Sequence, residues 1–135
     1  MSRSEARSKR MAYLLETALD DQEEYLYQGE MSDYMRSYAS EAAAELRALF
    51  RHAAPTPTEL AQFVVALSEP SRMAQGRSKQ LLVRLGEEGR PFLVALATAA
   101  DPRLRLFAIE VANHNTSQAY RGKPKPLAAL IAHVP

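Results

Sequence analysis

Three histidines are the side chains of this sequence that could bind a metal or transfer a proton near neutral pH. They are His52, His114 and His133, and none has a second histidine at the spacing that zinc sites use. The chain has no cysteine, which excludes a thiolate zinc site and a disulfide framework. We therefore predict no metal site and no catalytic histidine.

Carboxylates and glycines give no catalytic pattern either. Adjacent acids, such as those of Glu23–Glu24 and Glu87–Glu88, point in different directions from a helix and do not form the pair that acid–base catalysis needs. The segment Gly86–Gly89 is too short and too acidic to cradle a phosphate in the manner of a glycine-rich loop. These patterns predict a protein that is not an enzyme and needs no cofactor.

Residues 20–38, DDQEEYLYQGEMSDYMRSY, form an acidic and tyrosine-rich segment, which we call the acidic–tyrosine segment. It holds four of the six tyrosines of the chain. Tyrosine is enriched at interface hot spots, and flanking carboxylates steer and orient a basic partner. The alternative is that some rings belong to the core and the acids are merely solvated. The predicted partner-binding residues are Asp20, Asp21, Glu23, Glu24, Tyr27, Glu30, Asp33 and Tyr34.

The second half of the chain carries the opposite charge. Residues 11–60 have a net charge of −7 and residues 61–135 a net charge of +5, although the whole chain is close to neutral. Such a basic half could bind phosphate backbones, but it lacks the interleaved aromatic residues that stack on single strands. The alternative anion-binding residues are Arg77, Arg84, Arg103 and Arg105.

The elements that position these residues are predicted to be helices alone, because no stretch shows strand alternation flanked by hairpin turns. The fold class is all-α, a compact bundle of about six to seven helices in one domain, residues 1–135. The sixth helix is apolar on most sides and is expected to be central to the packing. The predicted helices cover residues 4–28, 32–52, 57–68, 77–86, 91–100, 102–113 and 127–133.

The last four predicted helices look like two copies of a helix pair. QLLVRLG aligns with LFAIEVA, and PFLVAL aligns with PLAALI. The turn Ala100–Arg105, with its Asp-Pro start, and the junction Leu85–Pro91 resemble those of HEAT-type repeats over residues 77–134. The resemblance implies antiparallel helix pairs in residues 56–135, a two-helix cap in residues 1–54, and a protein that binds other proteins.

The function predicted from these surfaces is a non-catalytic protein-binding module. The sharper hypothesis is an immunity- or antitoxin-type inhibitor, whose acidic and aromatic corner would enter the basic cleft of a toxic enzyme. The alternative is a HEAT-like protein that binds nucleic-acid backbones through the basic half. Because no apolar run resembles an export signal or a membrane span, we expect a cytoplasmic protein without membrane contact; the sequence does not specify its oligomeric state.

Overall fold

The computed structural model describes residues 2–20, 25–27 and 35–119, and for 25–27, 35–36 and 114–119 it describes the backbone alone. The prediction of an all-α fold is confirmed. A 3-10 turn at Gly86–Gly89 joins the fifth and sixth helices, and two three-residue strands precede the second helix. The elements are α1 (Arg3–Ala18), β1 (Tyr25–Tyr27), β2 (Met35–Ser37), α2 (Tyr38–His52), α3 (Pro57–Leu67), α4 (Pro70–Ala74), α5 (Arg77–Leu85), α6 (Arg90–Ala97) and α7 (Pro102–Ala119).

Several helix starts follow local capping signals, whereas α5 and α6 have no side-chain cap. The side chain of Ser2 accepts a hydrogen bond from the amide of Glu5, and this caps α1. A full capping box begins α3, because Thr56 Oγ1 accepts from the Glu59 amide at 3.1 Å and Glu59 Oε1 accepts from the Thr56 amide at 3.0 Å. Asp101 accepts from the amide of Arg103 at the start of α7. The starts predicted for α3 and α7 are thus confirmed.

One apolar cluster runs from Met11 on α1 to Ala112 on α7. At its centre, phenylalanines from three helices meet. The rings of Phe63 and Phe92 stack with centroids 3.9 Å apart, and Phe50 lies edge-on to both. These rings join α2, α3 and α6, which are distant in sequence, into one core.

A buried ion pair closes the junction of α1, α2 and α3. Glu59 is only 1% exposed, and its carboxylate lies 3.2 Å from the Arg7 guanidinium. The same guanidinium donates hydrogen bonds to the carbonyl oxygens of Ala53 and Ala54, just after α2. Arg7 therefore neutralises a buried carboxylate and also satisfies backbone acceptors at the end of another helix.

Gly86 ends α5 with a φ of +59°, a backbone conformation that residues with a Cβ rarely adopt. The chain then makes the 3-10 turn and enters α6 directly. This reversal packs the turn against α2 and brings Glu88 to the surface of that helix.

The predicted end of the first helix is wrong. Leu19 is the C-cap of α1, and residues 25–27, which the prediction included in the helix, form β1. Antiparallel pairing joins Tyr25 to Ser37 and Tyr27 to Met35. Acidic side chains follow Leu19, and the negative end of the helix dipole disfavours them, which is a physical reason for the helix to end early.

The predicted start of the second helix is also wrong. Residues 35–37 form β2, and Ser37 caps α2 by accepting from the Ser40 amide, so the helix starts at Tyr38 and not at the predicted residue 32. Tyr38, the first residue of α2, is exposed. The acidic–tyrosine segment is therefore not a helix–turn–helix corner, since its described residues 25–27 and 35–37 form a strand pair.

Helix α7 differs from its prediction in length and in position. It continues through residues 114–119, which were predicted to be a loop, up to Ala119. It packs on α5 and α6 through one face, while Leu106 and Ile109 on another face are exposed among the described residues. It is therefore not covered on all sides in this part of the structure. The helix predicted at 127–133 lies outside the described residues.

Candidate protein-binding groove

A groove with a volume of about 580 Å³ runs between α1 and α3 and ends at α4. Its floor is the edge of the apolar core, at Met11 and Leu15. Its walls combine small or aliphatic residues with polar ones, and Val65 on the α3 wall is 73% exposed. The lining residues are Met11, Ala12, Leu15, Glu16, Ala61, Gln62, Val65, Ala66, Glu69 and Arg72, and we call this feature the α1–α3 groove.

The groove owes its width to alanines at facing positions. Ala12 on α1 and Ala61 on α3 are both exposed, and a single methyl group on each leaves room between the two helices. A partner backbone can approach closely over such small residues and contact Val65 beside them. An exposed apolar surface of this kind is typical of a binding site for an apolar segment of another protein.

Tyr13 stands beyond the groove, at its polar end, and is 62% exposed. The guanidinium of Arg10 lies 5.3 Å from the centre of its ring and is itself paired with Glu45 at 2.7 Å. These contacts hold one side of the ring and leave much of it open to solvent. A rigid, exposed tyrosine loses little entropy on binding.

The groove continues into a second cavity of about 480 Å³, with which it shares Glu16, Glu69 and Arg72. We call this cavity the acidic end. Its carboxylates, those of Glu16, Asp20 and Glu69, are all exposed. The arginines that face it, Arg72 and Arg77, are half-buried. Three carboxylates and two arginines give this cavity a formal net charge of −1, whereas the groove itself is mainly apolar.

Arg72 orders the boundary between the two cavities. Its Nη2 donates to Glu16 at 2.6 Å, and its Nη1 donates to the Ala66 carbonyl at the end of α3. The hydroxyl and amide of Ser71 donate to Glu69 and hold the pKa of this carboxyl below its usual range. These hydrogen bonds favour the ionised form of Glu69.

Two of the predicted partner-binding residues lie within the described part of the chain. Asp20 is exposed and lines the acidic end, next to the C-cap of α1. The backbone of Tyr27 lies in β1, paired with Met35. The other predicted residues, Asp21, Glu23, Glu24, Glu30, Asp33 and Tyr34, lie outside the described residues. The sequence reasoning missed Tyr13 and Val65. Both are large apolar or aromatic residues that lie outside the apolar stripe of their helices, and this position was the signal that could have identified them.

The four alternative anion-binding arginines lie at separate places. Arg77 lines the acidic end, Arg84 lines a cavity between α2 and α5, and Arg103 lines a third cavity beside α4. Arg103 is paired with Asp101 at 3.0 Å, which raises the pKa of the guanidinium. Arg105 donates to the carbonyl oxygens of Ala99 and Ala100. The four arginines therefore do not line one common surface: Arg77, Arg103 and Arg105 lie in surroundings different from those of Arg84.

Two arginines that the sequence reasoning did not select lie beside Arg84. Arg47 and Arg51 are one helical turn apart on α2, and each donates from its Nε to one oxygen of Glu88, at 3.1 and 2.9 Å. Hydrogen bonding to Arg51, and then to Arg47, holds the pKa of Glu88 below its usual range. Their i, i+4 spacing was the signal that could have found them.

The described residues contain no group of three or more histidines and carboxylates that could hold a metal ion. His52 is exposed near the end of α2, and the side chains of His114 and His133 lie outside the described residues. Within the described part of the chain, no helix is both long enough and apolar enough to cross a membrane.

Comparisons with known proteins returned no match: no family model, no curated protein and no solved structure resembles this chain significantly. The groove and its acidic end are therefore interpreted from their own chemistry.

Proposed function

We propose that this protein binds another protein, and that the α1–α3 groove with its acidic end is the binding surface. The observation that carries the proposal is the continuity of the two parts, an exposed apolar groove leading into a cavity with three exposed carboxylates. In a partner segment with apolar side chains followed by basic ones, the apolar side chains would pack in the groove and the basic ones would pair with the carboxylates of the acidic end. The partner is therefore expected to present a basic, amphipathic segment.

The finer proposal is that the partner is a toxic enzyme and that this protein is its immunity- or antitoxin-type inhibitor. Residues 11–60 carry a net charge of −7, and two of the three carboxylates of the acidic end, those of Glu16 and Asp20, belong to this part of the chain. An enzyme that acts on an anionic substrate has a basic cleft, which such a surface can block by charge complementarity. The HEAT-like character of residues 77–134 is likewise a proposal, and it agrees with a role in binding proteins.

Replacing Val65 with glutamate is the test of the groove. Because Val65 is exposed, the substitution should leave the fold intact, but it places an unpaired charge where the partner buries an apolar side chain. We expect capture of the partner from nuclease-treated native lysate to fall at least about tenfold. The purified partner should then be inhibited at equal molar ratio by the wild-type protein and not by Val65→Glu.

Leu106→Glu is the matched control, since Leu106 is an exposed apolar residue on α7, away from the groove. Both variants should keep the melting temperature of the wild-type protein within a few degrees. A protein captured by the wild type and by Leu106→Glu, but not by Val65→Glu, supports the proposal. Equal capture by all three proteins would show that the groove is not the binding surface. Capture without inhibition would leave a binding protein that is not an inhibitor.

A further inference from the structure

The cavity between α2 and α5 lies apart from the α1–α3 groove and has a different chemistry. Its volume is about 400 Å³. Three arginines line it. Among the described residues, the carboxylate of Glu88 forms ion pairs with two of them, Arg47 and Arg51. Three guanidinium charges against one carboxylate leave a local charge of +2. The lining residues are Ser40, Ala43, Ala44, Arg47, Ala48, Arg51 and Arg84.

We propose that this cavity binds the phosphate group of a small molecule through Arg47, Arg51 and Arg84. Glu88 holds Arg47 and Arg51 by their Nε atoms, and no hydrogen bond occupies the Nη atoms of either within the described part of the chain. The terminal edge of each guanidinium therefore remains able to donate. Two such edges, fixed by one carboxylate, are pre-organised for the oxygens of a second anion.

Arg84 supplies the third donor from the opposite side of the cavity. It is half-buried on α5, and it makes no hydrogen bond or ion pair with any described residue. A half-buried guanidinium without a partner has lost part of its hydration, so an anion beside it would be stabilised. The absence of a partner for Arg84 among the described residues therefore favours an anionic ligand beside it.

The remaining lining agrees with a small ligand. Ala43, Ala44 and Ala48 form one stripe of α2, and their short side chains leave the space that the arginines surround. Ser40 Oγ accepts a hydrogen bond from Ser37, so its own hydroxyl hydrogen can be donated to the ligand. A tetrahedral phosphate group has enough oxygens for several of these donors, whereas a carboxylate has two.

A small phosphate fits the surroundings better than a nucleic-acid backbone. A backbone needs a row of cationic side chains, but Arg103 and Arg105 are engaged with Asp101 and with carbonyl oxygens. The positive charge of the cavity is confined to three arginines that share one space.

The test is titration of the full chain with inorganic phosphate at low ionic strength, followed by calorimetry and by the NMR signals of the arginine Nε–H groups. We expect saturable binding with signal changes at Arg47 and Arg51. Arg84→Ala should weaken it at least about tenfold, because a hydrogen bond to a charged group is lost. Arg84→Lys, which keeps the charge but not the forked donor, should give a smaller loss.

Arg90→Ala is the control, because Arg90 is exposed at the start of α6 and does not line the cavity. It should bind phosphate as the wild type does. Absence of saturation, or an equal loss in Arg84→Ala and Arg90→Ala, would overturn the proposal. A single-stranded oligonucleotide that binds through Arg84 more than about a hundredfold tighter than phosphate would also overturn it, in favour of the nucleic-acid backbone. Loss of phosphate binding leaves the Val65→Glu test unaffected, so the two proposals fail independently.

Discussion

Replacing Phe92 with alanine is expected to lower the free energy of unfolding by about 4 kcal/mol, as large-to-small changes of buried aromatic residues do. Phe92 is fully buried, stacks on Phe63 and lies edge-on to Phe50. Its removal takes away the transfer free energy of one ring and leaves a cavity between three helices that are fixed by other contacts. Urea unfolding followed by circular dichroism measures the difference.

Phe92→Leu separates loss of volume from loss of the aromatic contact. Leucine refills part of the space, so we expect a destabilisation well below that of the alanine variant, about 1–2 kcal/mol. If both variants lost less than about 1 kcal/mol, the core would have collapsed around the site, and the three-ring cluster would not be the centre of packing.

Replacing Arg7 with alanine is expected to cost about 3 kcal/mol, the typical effect of removing one partner of a buried ion pair. Glu59 would remain buried, keeping only its hydrogen bonds from Ser8 and from the Thr56 amide. The carbonyl oxygens of Ala53 and Ala54 would also lose their common donor. The same urea unfolding experiment applies.

Arg10→Ala is the matched control for Arg7. Arg10 lies on the same helix and forms an ion pair with Glu45, but both side chains are about half exposed. Such pairs contribute about 0–1 kcal/mol, because water screens them and ordering the side chains costs entropy. Equal effects of the two substitutions would show that burial does not strengthen the Arg7–Glu59 pair. Arg7→Lys should recover part of the loss, since it keeps the charge but not the forked donor.

Local signals predicted much of the fold. The capping box of Thr56 and Glu59 and the Asp-Pro start of α7 act within a few residues, so the sequence reveals them directly. The partnership of Glu59 with Arg7 could not be predicted in this way, because it depends on how α1 packs against α3. The strand pair was missed because three-residue strands are too short to show alternation, while the apolar stripe of α1 continues by chance to Leu26.

The candidate site was predictable in its charge and not in its geometry. The acidic character around Asp20 was evident from composition, and Asp20 does line the acidic end. The α1–α3 groove arises from alanines on two helices that are about fifty residues apart, and no local pattern indicates that they face each other. The same holds for Glu88, which reaches Arg47 and Arg51 only through the chain reversal after Gly86.

The bond from Arg7 to Ala53 spans 46 residues, and this span bears on the order in which the chain folds. Helix α7 contacts α5 and α6 across short connections, whereas α1 contacts α2 and α3, and α5 and α6 contact α2 and α3, across longer stretches of sequence. Long-range contacts form more slowly, because loop closure costs entropy before any contact compensates. The α5–α7 region should therefore be protected first in pulse-labelled hydrogen exchange during refolding. Earlier protection of α1 would contradict this order.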